Sequence, residues 1–323
     1  MENEKLEQEA ENNEVEEVVE EPIDEPYPSQ FLENIEIARG NFLRIYRIHN
    51  VLKWVVTIIC FAAIIVAFVV APNAFPDNST LVMTIIAISA LVLMVAYTLF
   101  AKRYIDKKMK EYFNLYYENV NHFALEYEGV ENINSQFPGK ILDEAFLDNN
   151  LYAGVQNVGS RGLTEFEYKG TPIAVCDCAA QVRNEQRRIV PVFVGKYLYA
   201  AANYDYDDPL YIYIKGDKRS LPPTNMSEVK AVSEDDAMVI YSNNSDWKKV
   251  LSLNVKKCLE KIKPNKDFVD CSISFQKGRM FVCMGYDDPL MVLPLQTKFN
   301  SKPNEDFKKD VIHVLNFIKE FNK

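Results

Sequence analysis

The chain has 323 residues, 48% of them hydrophobic and 25% charged, and a formal net charge of -10. That charge is concentrated at one end: residues 1–30 hold twelve Asp or Glu and a single Lys. Residues 31–323 are therefore near neutral, at about +1, and a folded part of that charge excludes nucleic acid as its partner.

Residues 1–30 have no repeating apolar face and are expected to be a disordered, self-repelling extension, with a docking peptide for a basic partner as the alternative. From Phe31 the pattern changes. Phe31, Ile35, Ala38, Phe42, Ile45 and Tyr46 recur at helical spacing among charged residues, which predicts an amphipathic juxtamembrane helix over 31–50, weakened at Gly40.

Two uncharged apolar runs follow, Trp54 to Ala71 with 18 residues and Leu81 to Ala101 with 21. At 1.5 Å per helical residue they reach roughly 27 and 31 Å, the hydrocarbon thickness of a bilayer. The nine residues between them, Pro72 to Thr80, are rich in turn formers, so residues 51–101 are read as a transmembrane hairpin. Arg39, Arg44, Arg47 and Lys53 precede it, Lys102, Arg103, Lys107, Lys108 and Lys110 follow it, and the connector has no basic residue. Basic flanks stay inside, which predicts a cell-membrane protein, its partner the lipid bilayer, with both termini cytoplasmic. A buried hairpin in a soluble protein would need an apolar coat that the remaining sequence does not offer. Between Trp54 and Ala101 only Asp77, in the loop, is ionisable, so the spans read as an anchor rather than an ion pathway. Ala63, Ala67 and Ala71 form a small-residue face for close helix packing.

The helical period continues over 102–128 with Tyr104, Met109, Tyr112, Phe113, Tyr116, Tyr117, Val120 and Phe123, a stripe read as a packing face. Residues 129–323 are read as an α+β domain, mainly an antiparallel sheet with a C-terminal helix. Strands are predicted at Leu163 to Tyr168, Pro172 to Val182, Arg188 to Ala202, Leu210 to Lys215, Ala237 to Ser242, Phe268 to Phe275, Arg279 to Met284 and Met291 to Pro294. Helices are predicted at Gly139 to Phe146, at Ser245 to Ile262 with a break near Ser252, and at Asn304 to Phe321.

Sites are sparse. Tyr206-Asp207-Asp208-Pro209-Leu210 and Tyr286-Asp287-Asp288-Pro289-Leu290 repeat one pattern, read first as a pair of similar hairpin turns, with a duplicated half-domain as the alternative. Their carboxylates lack the glycine-containing loop of an EF-hand. Cys60, Cys176, Cys178, Cys258, Cys271 and Cys283 match no zinc spacing with His49, His122 and His313, and most of them read as reduced, buried structural thiols. Gly159-Ser160-Arg161-Gly162, near Arg183, Arg187 and Arg188, is expected to be a solvated loop rather than an anion-binding turn. Phosphate-loop, dinucleotide-binding, nucleophile-elbow and zinc-protease motifs are absent. No catalytic, cofactor-binding or metal residue is assigned, and no cofactor is expected.

The two spans, Ile141 to Leu151 (ILDEAFLDNNL), the hairpin Glu165 to Asp177 (EFEYKGTPIAVCD), Val239-Ile240-Tyr241-Ser242 and the hairpin Ser272 to Met284 resemble the bacterial DUF3137 family of unknown function. The resemblance covers residues 30 to 295 and implies a membrane protein with a cytoplasmic α+β domain; it brings no activity and no site residues. Three functions are thus carried forward. The favoured one is a membrane-anchored binding or scaffold module with a protein partner. The others are a membrane-bound enzyme whose site combines Asp207, Asp208, Asp287 and Asp288, and a structural protein oligomerising through Ala63, Ala67 and Ala71.

Overall fold

The structure, a computed structural model, describes residues 29–135, 139–216, 221–264, 267–287, 295 and 297–323. The acidic segment 1–28, the predicted strand Met291 to Pro294, and Asp288 to Leu290 of the second repeat lie outside the described residues.

Two 46-residue helices, α1 (Ser29–Ala74) and α2 (Ser79–Ala124), form an antiparallel hairpin. Both are longer than the apolar runs. Gly40 does not interrupt α1, and Pro72 lies inside its last turn, where loss of one N–H costs least because few intrahelical bonds remain downstream. The connector is therefore four residues rather than nine.

Apolar side chains of the hairpin face outward from Val51 to Phe100: Trp54 is 69% exposed and Phe100 72%. Cys60, Ala67, Ala71 and Ala90 are buried in the seam between the helices. Ala63 is exposed, a correction to the predicted small-residue face. Eight helical residues overshoot whole turns by about 80°, so Ala63 and Ala71 cannot share a narrow seam. Ala67 and Ala71 are used within the hairpin rather than between copies of it. Ala67→Leu is accordingly expected to splay the hairpin, read as a loss of spin-label proximity between labels placed on α1 and α2 near Cys60 and Ala90. At the base of the seam His49 Nδ1 lies 3.2 Å from Tyr97 Oη, with the rings stacked at 5.9 Å.

Past the apolar stretch the hairpin becomes part of the domain. Tyr112, Tyr116, Tyr117, Val120 and Phe123 of α2 are buried with Ile35 and Phe42 of α1 in the main core, as expected for a packing stripe. The Phe299 N–H donates to Glu36 Oε1 at 2.8 Å, and the Phe299 ring meets Tyr116 edge-on at 5.6 Å.

Beyond α2 the chain is α+β. In sequence come β1 (Val130–Ser135), α3 (Asp143–Leu147), β2 (Val155–Tyr168), β3 (Thr171–Arg183), β4 (Ile189–Ala201), β5 (Leu210–Ile214), β6 (Ala231–Glu234) and β7 (Met238–Ser242). Then follow α4 (Trp247–Val250), α5 (Leu253–Leu259), β8 (Phe268–Gln276), β9 (Arg279–Tyr286) and α6 (Lys302–Phe321). The strands form one nine-stranded sheet in the order β1-β2-β3-β4-β9-β8-β5-β7-β6, with antiparallel neighbours throughout.

Local chemistry explains the hairpins. Lys169 and Gly170 both have positive φ, 49° and 82°, the turn that matches the twist of β2 and β3. Lys277-Gly278 closes β8 on β9 with Gln276 opposite Arg279. The predicted break near Ser252 is present: the Ser252 hydroxyl accepts from the Val255 N–H at 3.3 Å and starts α5. On α6, Phe307, Val311, Val314, Leu315, Ile318 and Phe321 are all buried.

The sheet separates two cores. One face packs on α1, α2, α4, α5 and α6 through residues such as Val175, Leu198, Ile273 and Val282. The other carries Cys176, Cys178, Phe193, Tyr197, Phe281 and Cys283 under the segment containing Ile141, Phe146 and Leu151. Tyr197 Oη donates to the Ala145 carbonyl at 2.6 Å and Ser274 Oγ to the Asn149 carbonyl at 2.6 Å, pinning that segment down.

Candidate functional site

The described carboxylates of the acidic repeats, Asp207, Asp208 and Asp287, do not build one site. Residues 202–209 are not a hairpin turn between β4 and β5, because the β8–β9 hairpin lies between those strands in the sheet; the segment is a crossover. It rests on the β8–β9 turn, where the Gly278 N–H donates to the Tyr204 carbonyl at 2.7 Å and Lys277 Nζ pairs with Asp207 at 3.0 Å. Asp287 follows the far end of β9. Eight strand residues separate the two ends by roughly 26 Å, so Asp207 and Asp287 cannot act on one substrate atom.

Gly159-Ser160-Arg161-Gly162 is not a loop but the middle of β2, with a register shift between Arg161 and Thr164. Gly162 has φ 64°, and a Cβ there would lie 2.5 Å from the Tyr117 ring, so glycine admits α2 to the sheet. Arg161 pairs inward with Asp177 at 3.8 Å. Arg183, Arg187 and Arg188 belong to the β3–β4 end of the sheet, about 20 Å away along β3 at 3.3 Å per residue.

A buried charge cluster was not foreseen. Asp177 and Lys196 are opposite each other on β3 and β4, 6% and 2% exposed, with Lys196 Nζ 2.7 Å from Asp177 Oδ1. The same ammonium is 4.8 Å from the Phe307 ring centroid on α6. Burial pushes the Asp177 carboxyl up, and the charges of Lys196 and then Arg161 draw it back down. Nearby, Lys308 is 5% exposed with Nζ 4.4 Å from the Phe123 ring centroid, and Tyr286 Oη donates to Asp310 Oδ2 at 3.0 Å. These groups are closed between sheet and helices and reach no substrate; they position α6.

Five of the six thiols are buried, and Cys258 is partly exposed. Burial pushes Cys178 up to about 12 and holds Cys176, Cys271 and Cys283 well above the ordinary thiol value, which removes the thiolate that nucleophilic or metal chemistry needs. Among the described residues no group of three or more His, Cys, Asp or Glu is placed to hold a metal ion.

An accessible concavity of the domain is a groove of about 560 Å³ on the second face of the sheet, beyond the cover of α3. Ala174 and Tyr199 form its floor, Glu165, Glu167 and Asn134 one rim, and Arg279 the other. Arg279 pairs with Asp148 at 3.0 Å, which leaves the Glu165 and Glu167 carboxylates as the free charge of the groove. It adjoins β1, an edge strand whose outer backbone is unpaired in the sheet. The signal in sequence was the alternation Glu165-Phe166-Glu167-Tyr168, which puts both glutamates on one face; that Tyr199 lies beside them depends on strand register.

Compared with known proteins, the sequence matches no described family and no curated protein. Among solved structures the fold is similar to the mycobacterial trehalose monomycolate transport factor A, TtfA, at 8% identity, covering 62% of this chain and 93% of that one with a TM-score of 0.35. Similarity at that level carries no argument about what this chain does.

Proposed function

We propose that this chain is a membrane-anchored binding module: its hairpin spans the bilayer, both chain ends lie on the cytoplasmic side, and the sheet groove receives a protein partner. The observation that carries it is the contiguous run of large exposed apolar side chains along the hairpin, Trp54, Phe61, Phe68 and Phe100 among them, where the α+β domain exposes only scattered ones such as Leu142 and Leu221. Apolar surface on that scale is unstable in water and needs lipid or another chain to cover it. Two helices are long and apolar enough to cross a membrane, and the basic flanks support that orientation. The groove supports an extended segment with basic side chains as its occupant, with Glu165 and Glu167 for charge and the β1 edge for backbone pairing.

The test has two readings in one strain. In intact cells, a cysteine at Asn78 is expected to react with an impermeant maleimide while one at Lys107 does not; equal labelling would end the topology. A photo-cross-linking residue at Tyr199 is expected to give one discrete protein adduct, reduced at least tenfold by the Glu165→Lys, Glu167→Lys double variant. An adduct ladder indifferent to that variant would remove the groove as the binding face.

A further inference from the structure

Between the membrane and the domain, α1 and α2 leave a second groove, of about 650 Å³. Its floor is the Phe42–Tyr112 stack, with centroids 6.0 Å apart and planes at 20°. Ile45, Ile48 and Tyr104 line the side toward the apolar spans, and Arg44 and Lys108 stand on the rim. We infer that this groove binds the phosphate headgroup of an anionic phospholipid in the adjoining leaflet. The inference rests on the membrane reading above.

Depth is the first argument. Tyr104 and Lys108 lie three and seven residues beyond Ala101, about 5 and 11 Å along the helix axis. The headgroup layer occupies roughly the first 5–8 Å outside the hydrocarbon, so the mouth of the groove opens at phosphate level and flexible cationic side chains reach down to it. Charge is the second. Arg39 is engaged by Glu36 at 2.6 Å, but Arg44 forms no ion pair among the described residues. Lys108 is shared with Glu111 at 2.6 Å, leaving one net positive charge at the rim. A guanidinium beside a phosphate forms paired, charge-assisted hydrogen bonds. The third is the apolar path. Ile48, Val51 and Leu52 are 50%, 63% and 45% exposed, a continuous apolar strip that runs from the groove into the first span. A free phosphate has no use for that strip; an acyl chain does.

The experiment uses the full chain reconstituted in phosphatidylcholine vesicles with increasing phosphatidylglycerol, with bound lipid counted by native mass spectrometry. One phosphatidylglycerol per chain is expected, and the Arg44→Gln, Lys108→Gln double variant should bind it about 30-fold more weakly, at about fivefold per cation. The Arg47→Gln, Lys107→Gln variant removes the same charge at similar depth outside the groove and should retain the lipid. Equal loss in both variants would mean diffuse attraction and would overturn the site. Displacement by millimolar inorganic phosphate would also overturn it, in favour of a soluble anion. Insertion into pure phosphatidylcholine with no retained phosphatidylglycerol would sink this inference alone, whereas failure to insert at all would sink the membrane reading.

Discussion

Lys196→Met is expected to destabilise the α+β domain by about 3–5 kcal/mol, because it leaves the Asp177 carboxylate buried without its cation. For a domain of this size that lowers the midpoint of thermal unfolding by roughly 10 °C, measured by near-ultraviolet circular dichroism of the full chain in detergent. The sign with pH follows from the same desolvation. Without Lys196 the Asp177 carboxyl, already pushed up by burial, rises further above its unfolded value. The folded variant then holds a proton that the unfolded chain releases, and its deficit should be larger at pH 8 than at pH 5. Asp177→Leu together with Lys196→Met removes both charges and should recover most of the loss, since Arg161 is 39% exposed and can remain solvated. A single variant as stable as the parent at pH 8 would show that water reaches the pair.

The second large effect concerns Asp310, whose carboxyl burial lifts from 3.8 to about 7 against the opposing hydrogen bond from Tyr286, with Asp306 and Asp267 adding to the rise. Between those values the folded state keeps a proton that the unfolded chain gives up, so stability is greatest at the acidic end and falls as pH rises from about 4 to 7, by up to about 4 kcal/mol. Above pH 7 both states are ionised and this dependence ends. Asp310→Asn keeps an acceptor for Tyr286 and removes the charge. It should flatten the profile and leave the variant more stable than the parent at pH 8, with little difference near pH 4, by urea unfolding at each pH. Parallel profiles for parent and variant would refute the assignment.

What could be read from sequence was whatever depends on near neighbours. The apolar runs, the face of α6, the break at Ser252 and the Lys277-Gly278 hairpin each follow from periodicity or turn chemistry within a few residues. Strand β1 was missed because its residues, Val-Glu-Asn-Ile-Asn-Ser, alternate poorly and Asn132 has φ 57°, which shifts the register against β2. The crossover at Asp207 and Asp208 was misread as a turn because the hairpin inserted between β4 and β5 comes from more than fifty residues later. The Asp177–Lys196 pair was hidden for the same reason as the Tyr199 side of the groove. Each residue's own strand was legible, but which residue faces it across the sheet is set by register. Arg161 was misplaced because glycines on both sides imitate a loop, whereas Gly162 is there to clear Tyr117.

The unbroken run of α2 from the apolar span into the core sets what the sheet groove can meet. Residues 102–111 carry the helix from the apolar run to Tyr112, the start of its buried stripe, as a post of roughly 15 Å braced by α1. A flexible linker of the same ten residues would spread the domain over a cloud with a root-mean-square reach of about 17 Å, in which the groove would point everywhere. With the hairpin in a bilayer as proposed, a braced post would hold altitude and tilt constant while the molecule drifts laterally. Under the proposed binding function, capture becomes a two-dimensional survey at one height, which would favour partners tethered to the same membrane over those arriving from solution.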